Sequence, residues 1–255
     1  MHWFYVENSQ IEEDRIKICG ADVNHIKNVL RMQPGERIVI CNGEGKDFYC
    51  QIKTISSEEV IAEIEEMNDT ESELPAKIYL FQGIPKKDKM ELIVQKAVEL
   101  GAYEIIPVAM KRCVAKIEDG KKEKKKLERW QSIAVSAAKQ SGRGIIPKVH
   151  EVLSFKEALQ YAKELEVVIL PYELADGIEE TSKKIKESAK KQSIGIFIGP
   201  EGGFDEKEIE EALQLDFHTI TLGKRILRTE TAGLTILSIL MFELEQKRVC
   251  GKTEM

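Results

Sequence analysis

The spacing of apolar residues divides the chain into a shorter first part with short strands and a longer second part in which strands and helices alternate. In the first part, alternation and β-branched content predict strands at residues 3–6, 15–19, 37–41, 48–55 and 59–65. One helix is predicted at residues 22–32, where apolar side chains recur at helical spacing and Pro34-Gly35 follows. Several short strands with a single helix predict a small β-barrel.

The second part shows regular strand–helix alternation from residue 77 onwards. Bounded apolar runs predict strands at residues 78–82, 105–109, 167–170, 194–198 and 219–222. Amphipathic periodicity predicts helices at residues 87–100, 122–140, 155–164, 177–190, 206–214 and 229–246. This alternation predicts an α/β fold with a mostly parallel sheet covered on both faces. A polar, proline-containing stretch at residues 71–75 is the predicted linker, so we expect two domains, at residues 1–72 and 73–255.

Two of the predicted strands end in glycine-containing loops. The strand at residues 194–198 leads into GPEGG, and the strand at residues 219–222 leads into GKRILR. Each loop is followed by a helix, and Asp205 with Glu208 has capping-box spacing at the start of the first of these helices. Both loops therefore lie at the edge of the sheet where open α/β folds bind their ligands.

The chemistry of these loops argues against a phosphate cradle. They contain neither G-x-G-x-x-G nor a G-K-[ST] ending, and the carboxylate of Glu201 would repel a phosphate on the loop amides. Glycines around a glutamate suit a neutral or cationic ligand that bare backbone approaches closely. Two tight turns would explain the glycines alone, but not the crowding of Arg225, Arg228 and Glu230 with Glu201 at one edge.

Composition places the chain among ordinary globular proteins. It has 255 residues, of which 42% are hydrophobic and 32% are charged. It contains no run of about 18 apolar residues and no secretory signal pattern, so we expect a cytoplasmic protein without a membrane span. Five cysteines without a C-x-x-C pair, and four scattered histidines, predict reduced thiols and no metal site.

The distribution of charge points to a nucleic acid in spite of a net charge of −6. Residues 1–72 contain seven basic and 15 acidic side chains, a net of −8. Residues 111–148 contain 12 basic and four acidic side chains, a net of +8. Since local clustering sets the footprint for phosphates, the second segment favours an RNA or DNA partner.

Several motifs carry a resemblance to a known family. IGPEGGF is followed about twenty residues on by LGKRILRTETA, and the chain also contains GIPKKDKMELIVQKAVELG (83–101), Arg112-Cys113, AAKQSGR (137–143) and HIKNVLRMQPGE (25–36). Together these motifs resemble the SPOUT methyltransferases, specifically the family of ribosomal RNA small subunit methyltransferase E. They span nearly the whole chain in the expected order. The resemblance implies a PUA-like RNA-binding barrel at residues 1–72 and a trefoil-knotted α/β methyltransferase domain at residues 73–255.

The resemblance also implies a reaction: methylation of N3 of a uridine in 16S ribosomal RNA of the small subunit, with S-adenosylmethionine (SAM) as donor and no metal. The residues expected to form the SAM pocket are Leu170, Pro171, Gly199, Pro200, Glu201, Gly202, Leu222, Gly223, Ile226, Leu227 and Arg228. The residues expected to contact RNA are His25, Arg31, Lys86, Lys87, Arg112 and Arg143.

Methyl transfer to uridine N3 makes defined demands on catalytic residues. The leaving group is a neutral thioether and needs no acid, but N3 carries an imide proton and is a poor nucleophile until that proton leaves. A cation near the uracil oxygens stabilises the developing anion. We assign this role to Arg228, with Arg143 as the second choice. Glu201 and Glu230 are the candidate proton acceptors, and the sequence does not choose between them.

Alternatives to this reading differ in substrate and in chemistry. Related SPOUT enzymes modify tRNA, and a non-catalytic RNA-binding assembly factor on the same fold is a second alternative. A nucleotide hydrolase is excluded because the chain lacks a P-loop lysine. SPOUT proteins commonly form homodimers, and we expect one here because the final helix is unusually apolar, with Leu234, Leu237, Leu240, Met241 and Leu244.

Overall fold

The computed structural model describes residues 2–114, 120–175 and 177–253. These residues form two compact units. The first contains the chain up to Glu73 together with Ala138–Ile146, and the second contains the remainder. The first boundary lies close to the predicted linker. The return of residues 138–146 to the first unit differs from the predicted division into two continuous segments.

The first unit is built around a five-stranded sheet. Its elements are β1 (His2–Tyr5), a 3₁₀ turn (Asn8–Gln10), β2 (Arg15–Cys19), α1 (Ala21–Asn24) continuing as a π-helical turn (His25–Val29), β3 (Arg37–Cys41), β4 (Lys46–Ile55) and β5 (Glu59–Asp69). The strand order is β1-β3-β4-β5-β2, in which β1 and β3 are parallel and the other pairs are antiparallel. All five predicted strands are present. Alternate residues, such as Ile16 and Ile18 in β2, enter one core that also contains Ile26.

The predicted helix at residues 22–32 ends earlier, at Val29. Arg31 has φ 54°, the left-handed conformation that terminates helices. The amide of Met32 donates to the carbonyl of Ile26 (3.0 Å), so one of the last carbonyls of the helical segment has a partner. The local backbone therefore stops the helix before the apolar periodicity ends.

Residues 142–146 are held in the first unit by hydrogen bonds to the loop between β3 and β4. The amide of Gly45 donates to the carbonyl of Gly144 (2.9 Å), and the amide of Ile146 donates to the carbonyl of Gly43 (3.0 Å). The hydroxyl of Tyr5 donates to the carbonyl of Arg143. These bonds satisfy backbone groups that would otherwise be buried without partners.

The second unit contains a parallel sheet flanked by helices. Its elements are β6 (Lys77–Gly83), α2 (Lys89–Glu99), β7 (Ala102–Ala109), most of α3 (Gly120–Ser141), β8 (Lys148–Val149), β9 (Leu153–Ser154), α4 (Phe155–Ala162), β10 (Val167–Pro171), α5 (Ile178–Ser188), β11 (Ser193–Ile198), α6 (Glu206–Leu213), β12 (His218–Ile220) and α7 (Thr229–Thr253). The strand order is β12-β10-β11-β6-β7-β8, and β9 also pairs with β7. Every recorded pair is parallel, which confirms the α/β prediction.

Register brings the carboxyl ends of four strands to one edge of this sheet. Pro171 at the end of β10 lies opposite Ile220 of β12, and Ile198 of β11 lies opposite Gln82 of β6. The loops that leave these strands therefore emerge side by side. The trefoil knot stays a prediction.

The core of the second unit explains why these strands are continuous apolar runs. Phe81 of β6 and Phe197 of β11 are fully buried and stack with ring centroids 4.4 Å apart. Strands of a parallel sheet are covered on both faces, so both sets of side chains are apolar. The short strands β8 and β9 were not predicted, since two residues carry no readable period.

Helix α6 begins as the sequence predicted. The carboxylate of Asp205 accepts from the amide of Lys207 (3.3 Å), and the side chain of Glu208 accepts from the amide of Asp205 (2.8 Å). This capping box defines where the chain enters the helix after the GPEGG loop. Among the helices of the described chain, none is both long and apolar enough to cross a membrane.

Candidate active site

A cavity of about 670 Å³ lies at the carboxyl ends of β10, β11 and β12. It is bounded by three loops of the second unit and by the starts of α2, α5 and α7. Nine of the eleven residues predicted for the SAM pocket line it: Pro171, Gly199, Pro200, Glu201, Leu222, Gly223, Ile226, Leu227 and Arg228. The two glycine loops are separated in sequence, and the parallel sheet brings them to the same cavity.

Two predicted pocket residues do not line the cavity. Leu170 is fully buried and belongs to the hydrophobic core beneath the loops. Gly202 lies against Arg112, and a Cβ atom built on it would be 3.0 Å from the Cβ of Arg112. Leu170 therefore supports the site from below, and Gly202 allows two loops to approach.

Gly199 in the GPEGG loop is held by a buried hydrogen-bond chain that the sequence analysis missed. Gln82 Nε2 donates to Thr229 Oγ1 (2.9 Å), and Thr229 Oγ1 donates to the carbonyl of Gly199 (2.7 Å). Both side chains are almost completely buried. A Cβ on Gly199 would lie 3.1 Å from the carbonyl carbon of Gly203, so the turn needs glycine there. This chain connects β6, the GPEGG loop and the start of α7.

Gly223 and Arg228 lie at opposite ends of the second loop. Gly223 has φ +102°, which favours glycine, and its amide donates to Thr221 Oγ1 (3.2 Å). Arg228 is exposed, lines the cavity and has no ion-pair or side-chain hydrogen-bond partner among the described residues. Its guanidinium is therefore available to a ligand.

Lys89 joins the two carboxylates predicted as proton acceptors. Its Nζ lies 3.1 Å from Glu201 Oε1 and 3.1 Å from Glu230 Oε2. The carboxylate of Glu201 also accepts from the amide of Lys86 (3.0 and 3.2 Å). Lys89 was not predicted as a site residue. Its position near the end of β6, in the motif GIPKKDKMEL, was the available signal.

The pKa values of this cluster follow from its contacts. Burial alone raises the pKa of Glu201, but hydrogen bonds from the amides of Glu201 and Lys86, together with the Lys89 ammonium, outweigh it and lower that pKa. Hydrogen bonds to Glu201 and Glu230 raise the pKa of Lys89. At neutral pH, Glu201 is therefore ionised and Lys89 is an ammonium.

Arg112 and the two predicted lysines lie beside the cavity loops. Arg112 Nη1 donates to the carbonyl of Gly202 (3.2 Å), so its guanidinium already holds the GPEGG loop. Lys86 and Lys87 are exposed, and Lys87 has φ 57°, an uncommon backbone conformation for a residue with a side chain. The neighbouring Lys111 pairs with Asp205 (2.9 Å) and lowers the pKa of that carboxyl.

The remaining predicted RNA contacts lie in the first unit. His25 is exposed with its ring edge-on to Phe4, and Arg31 is exposed in the helix-ending turn. Arg143 is only 4% exposed, and its guanidinium binds Glu73 through Nε (2.9 and 3.1 Å) and Nη2. The structure corrects the sequence-based view of Arg143: its side chain is buried in an internal ion pair and does not line the cavity.

In residues 2–114, 120–175 and 177–253, no group of three or more His, Cys, Asp or Glu side chains is arranged to hold an ion. The described cysteines Cys19, Cys41, Cys50 and Cys113 are free thiols.

Comparison with known proteins agrees with this geometry in both units. A family model described as an RNA methyltransferase domain matches residues 72–241, and one described as an RNA methyltransferase PUA domain matches residues 18–65. The ribosomal RNA small subunit methyltransferase E of Bacillus subtilis is 40% identical over 97% of this chain and 99% of its own length.

Two solved structures with a bound cofactor have the same fold. The ribosomal RNA small subunit methyltransferase E of Neisseria gonorrhoeae, bound to S-adenosyl methionine, has a TM-score of 0.78 at 33% identity and covers 95% of this chain and 97% of its own. A protein of Legionella pneumophila in complex with the cofactor SAM has a TM-score of 0.76 at 31% identity, and the match covers 94% of this chain and 96% of its own. Because family models match parts of both units and a relative is 40% identical over 97% of the chain, the chain belongs to the family of ribosomal RNA small subunit methyltransferase E.

Proposed function

We propose that this protein transfers a methyl group from SAM to N3 of a uridine in 16S ribosomal RNA of the small subunit. The observation that carries the proposal is the cavity between the two glycine loops, with the unpaired Arg228 at its edge. The relatives named above as small-subunit rRNA methyltransferases support this substrate over tRNA, and their SAM-bound structures support an enzyme over a non-catalytic binder. Such a substrate implies a cytoplasmic location.

The residues of the cavity fit SAM. Its volume of about 670 Å³ lies within the usual range for small-molecule sites. Ile198, Leu222 and Leu227 supply apolar walls, and the glycine loops present bare backbone for hydrogen bonds. When bound, SAM supplies an activated methyl group on a sulfonium. Glu201 and Glu173, which also line the cavity, are compatible with that positive charge.

The protein's own contribution is to orient the uracil and stabilise its anion. Arg228 is an exposed cation at the end of the loop that begins at Gly223, and we assign it to the uracil oxygens. Arg31 and His25 in the PUA-like unit are assigned to RNA docking, as are Lys86 and Lys87 beside the cavity. Each is exposed, as a phosphate or base contact requires.

The test uses 16S RNA from a strain that lacks this gene. Incubation of its small subunits with the protein and SAM should add one methyl group to one uridine, measured by mass mapping. A methyl group on N3 blocks the Watson–Crick edge, so reverse transcription should stop at the same nucleotide. Methylation of tRNA in place of 16S RNA would overturn the proposal.

Gly223→Val should weaken SAM binding about tenfold or more. At φ +102° a β-branched residue is strained by about 1–3 kcal/mol, so the loop should relax and displace Leu222 and Leu227 from the cavity wall. Calorimetric titration with SAM measures the change. Gly35→Val in the first unit is the matched control, because Gly35 has φ +96° with open space around it. Unchanged SAM affinity in folded Gly223→Val would refute the assignment.

We further propose a homodimer. Its interface does not include all the apolar residues of α7 on which the sequence-based expectation rested. Leu237, Leu240 and Leu244 of α7 are buried within the chain and are not available to a partner. Exposed apolar side chains include Ile239 and Phe242 on α7, and Leu174, Ile178 and Ile226 around the cavity. Such side chains support an interaction surface.

Light scattering at micromolar concentration should give twice the mass of one chain. Phe242→Asp should shift that mass towards the monomer, since Phe242 is 59% exposed and a charge there would be buried in the dimer. Leu213→Asp is the control, because Leu213 is 49% exposed on a different helix, α6. A monomeric wild-type protein contradicts the proposal.

A further inference from the structure

The ammonium of Lys89 lies where three elements of the site meet. Lys89 begins α2 after the loop that leaves β6, Glu201 belongs to the GPEGG loop, and Glu230 lies in the first turn of α7. Nζ is 3.1 Å from an oxygen of each carboxylate. Lys89 is 27% exposed and lines the cavity with Glu201 and Arg228. It is thus a cation at the wall of the site, held from two sides.

This ammonium has three N–H donors and forms ion pairs with the two carboxylates. Beyond these carboxylates, Nζ has no partner among the described residues, so it can donate to a ligand. Contact with the Glu201 and Glu230 carboxylates raises the pKa of Lys89 and keeps it protonated, so Lys89 is a donor and not a base. Held by two anions, its charge is also positioned before any substrate arrives.

The two carboxylates are correspondingly poor proton acceptors. Glu201 is bound by the Lys86 amide and Lys89, and its pKa is lowered, which weakens it as a base. Glu230 does not line the cavity, and its Oε2 is buried against Lys89. Their geometry suits the positioning of a cation more than the removal of a proton.

We propose that Lys89 is a further catalytic residue, which donates a hydrogen bond to a carbonyl oxygen of the target uracil and makes the N3 imide more acidic. The inference rests on the proposed function, because it requires a uridine substrate. The N3–H bond breaks first, and the proton goes to water or hydroxide. The electron pair left on N3 then forms the bond to the methyl carbon, and the pair of the broken C–S bond stays on sulfur.

The charges around Lys89 determine how its removal changes the pH dependence of the reaction. Glu201 and Glu230 face it from the GPEGG loop and from α7, and Asp88 and Glu91 lie on its own helix. The other charged residues that line the cavity are Glu173, Lys224, Arg225 and Arg228. Removing Lys89 alone leaves two neighbouring carboxylates that disfavour a uracil anion, so the variant should need a higher pH to form it.

Lys89→Met should lower the single-turnover rate at neutral pH by about 10²-fold, the scale for losing one preorganised donor. The deficit should shrink as pH rises, because hydroxide then removes the imide proton that Lys89 no longer acidifies. Lys89→Arg should keep most of the rate and the wild-type pH profile. Lys96→Met is the matched control, since Lys96 is on the same helix and pairs with Glu99 (2.8 Å) outside the cavity.

A second measurement changes the substrate. Small-subunit RNA transcribed with 5-fluorouridine carries a more acidic imide at the target. This RNA should raise the single-turnover rate of Lys89→Met by about tenfold or more relative to uridine RNA. The wild type should gain less, because the acidity of the imide limits the rate mainly in the variant.

Different results would contradict the role of Lys89 and the proposed function. A deficit that is equal at every pH and with both nucleosides would show that Lys89 only holds the loops, and a wild-type rate would show that it is dispensable. If Lys89→Met does not fold, Lys89→Met with Glu230→Gln removes the carboxylate repulsion and takes the same tests. A wild-type protein that methylates no uridine refutes the proposed function instead, independently of Lys89.

Discussion

Arg228→Ala should lower the rate of methyl transfer by about 10²-fold or more while leaving RNA affinity nearly unchanged. Arg228 is exposed at the cavity and has no internal partner among the described residues, so its loss removes little from the folded state. The interaction of its charge with the uracil is strongest when the uracil becomes an anion. The loss of an interaction made mainly in the transition state lowers kcat without a matching change in binding.

Single-turnover rates at saturating RNA and SAM measure this effect. Arg31→Ala is the informative comparison, since Arg31 is exposed in the other unit and belongs to the predicted docking surface. Arg31→Ala should weaken RNA binding and reduce its salt slope by about one unit, but react normally once RNA is saturating. If Arg228→Ala reacts at the wild-type rate at saturation, its assignment to catalysis is wrong.

Arg143→Ala should lower the free energy of unfolding by about 3–5 kcal/mol. The guanidinium is 4% exposed and bonds both oxygens of Glu73, whose carboxylate also accepts from the amides of Gly144 (2.9 Å) and Ile145 (3.1 Å). Truncation would leave Glu73 inside the first unit without its cation. The loss of a buried partner costs far more than the loss of an exposed one.

Urea unfolding of the isolated variant measures this change. Arg129→Ala is the matched control: Arg129 is on α3 and pairs with Glu91 (2.8 Å), but its side chain is 67% exposed, so the cost should stay below about 1 kcal/mol. Arg143→Met combined with Glu73→Gln should recover much of the stability, because no buried charge is then left alone. An Arg143→Ala protein that unfolds like the wild type but cannot transfer methyl groups would instead restore the catalytic role.

The sequence predicted the elements that carry a local side-chain pattern, and it missed features that depend on backbone turns or on strand pairing. Strands β2 and β3 were predicted at their observed bounds, because their side chains alternate or run apolar between turn residues. The helix predicted at residues 22–32 was too long, since the left-handed turn at Arg31 is a backbone event that apolar spacing does not record. Strands β8 and β9 were missed because they exist only through pairing with β7.

The sequence by itself determined the α/β class, the two glycine loops and the residues on them. Glycine, proline and apolar periodicity act locally, and a parallel sheet places all its strand ends at one edge. Together with the family resemblance carried by the motifs, these patterns predicted nine residues that line the cavity.

Only the tertiary structure decided which side chains meet across long separations. Gln82 reaches Thr229 across 147 positions, and Arg143 reaches Glu73 across 70. Lys89, unremarkable in a basic stretch of sequence, lies between Glu201 and Glu230 only because β6, β11 and α7 converge. A charged residue has the same local pattern whether it faces water or a buried partner. Packing therefore made Arg143 an internal ion pair and left Arg228 open to a ligand.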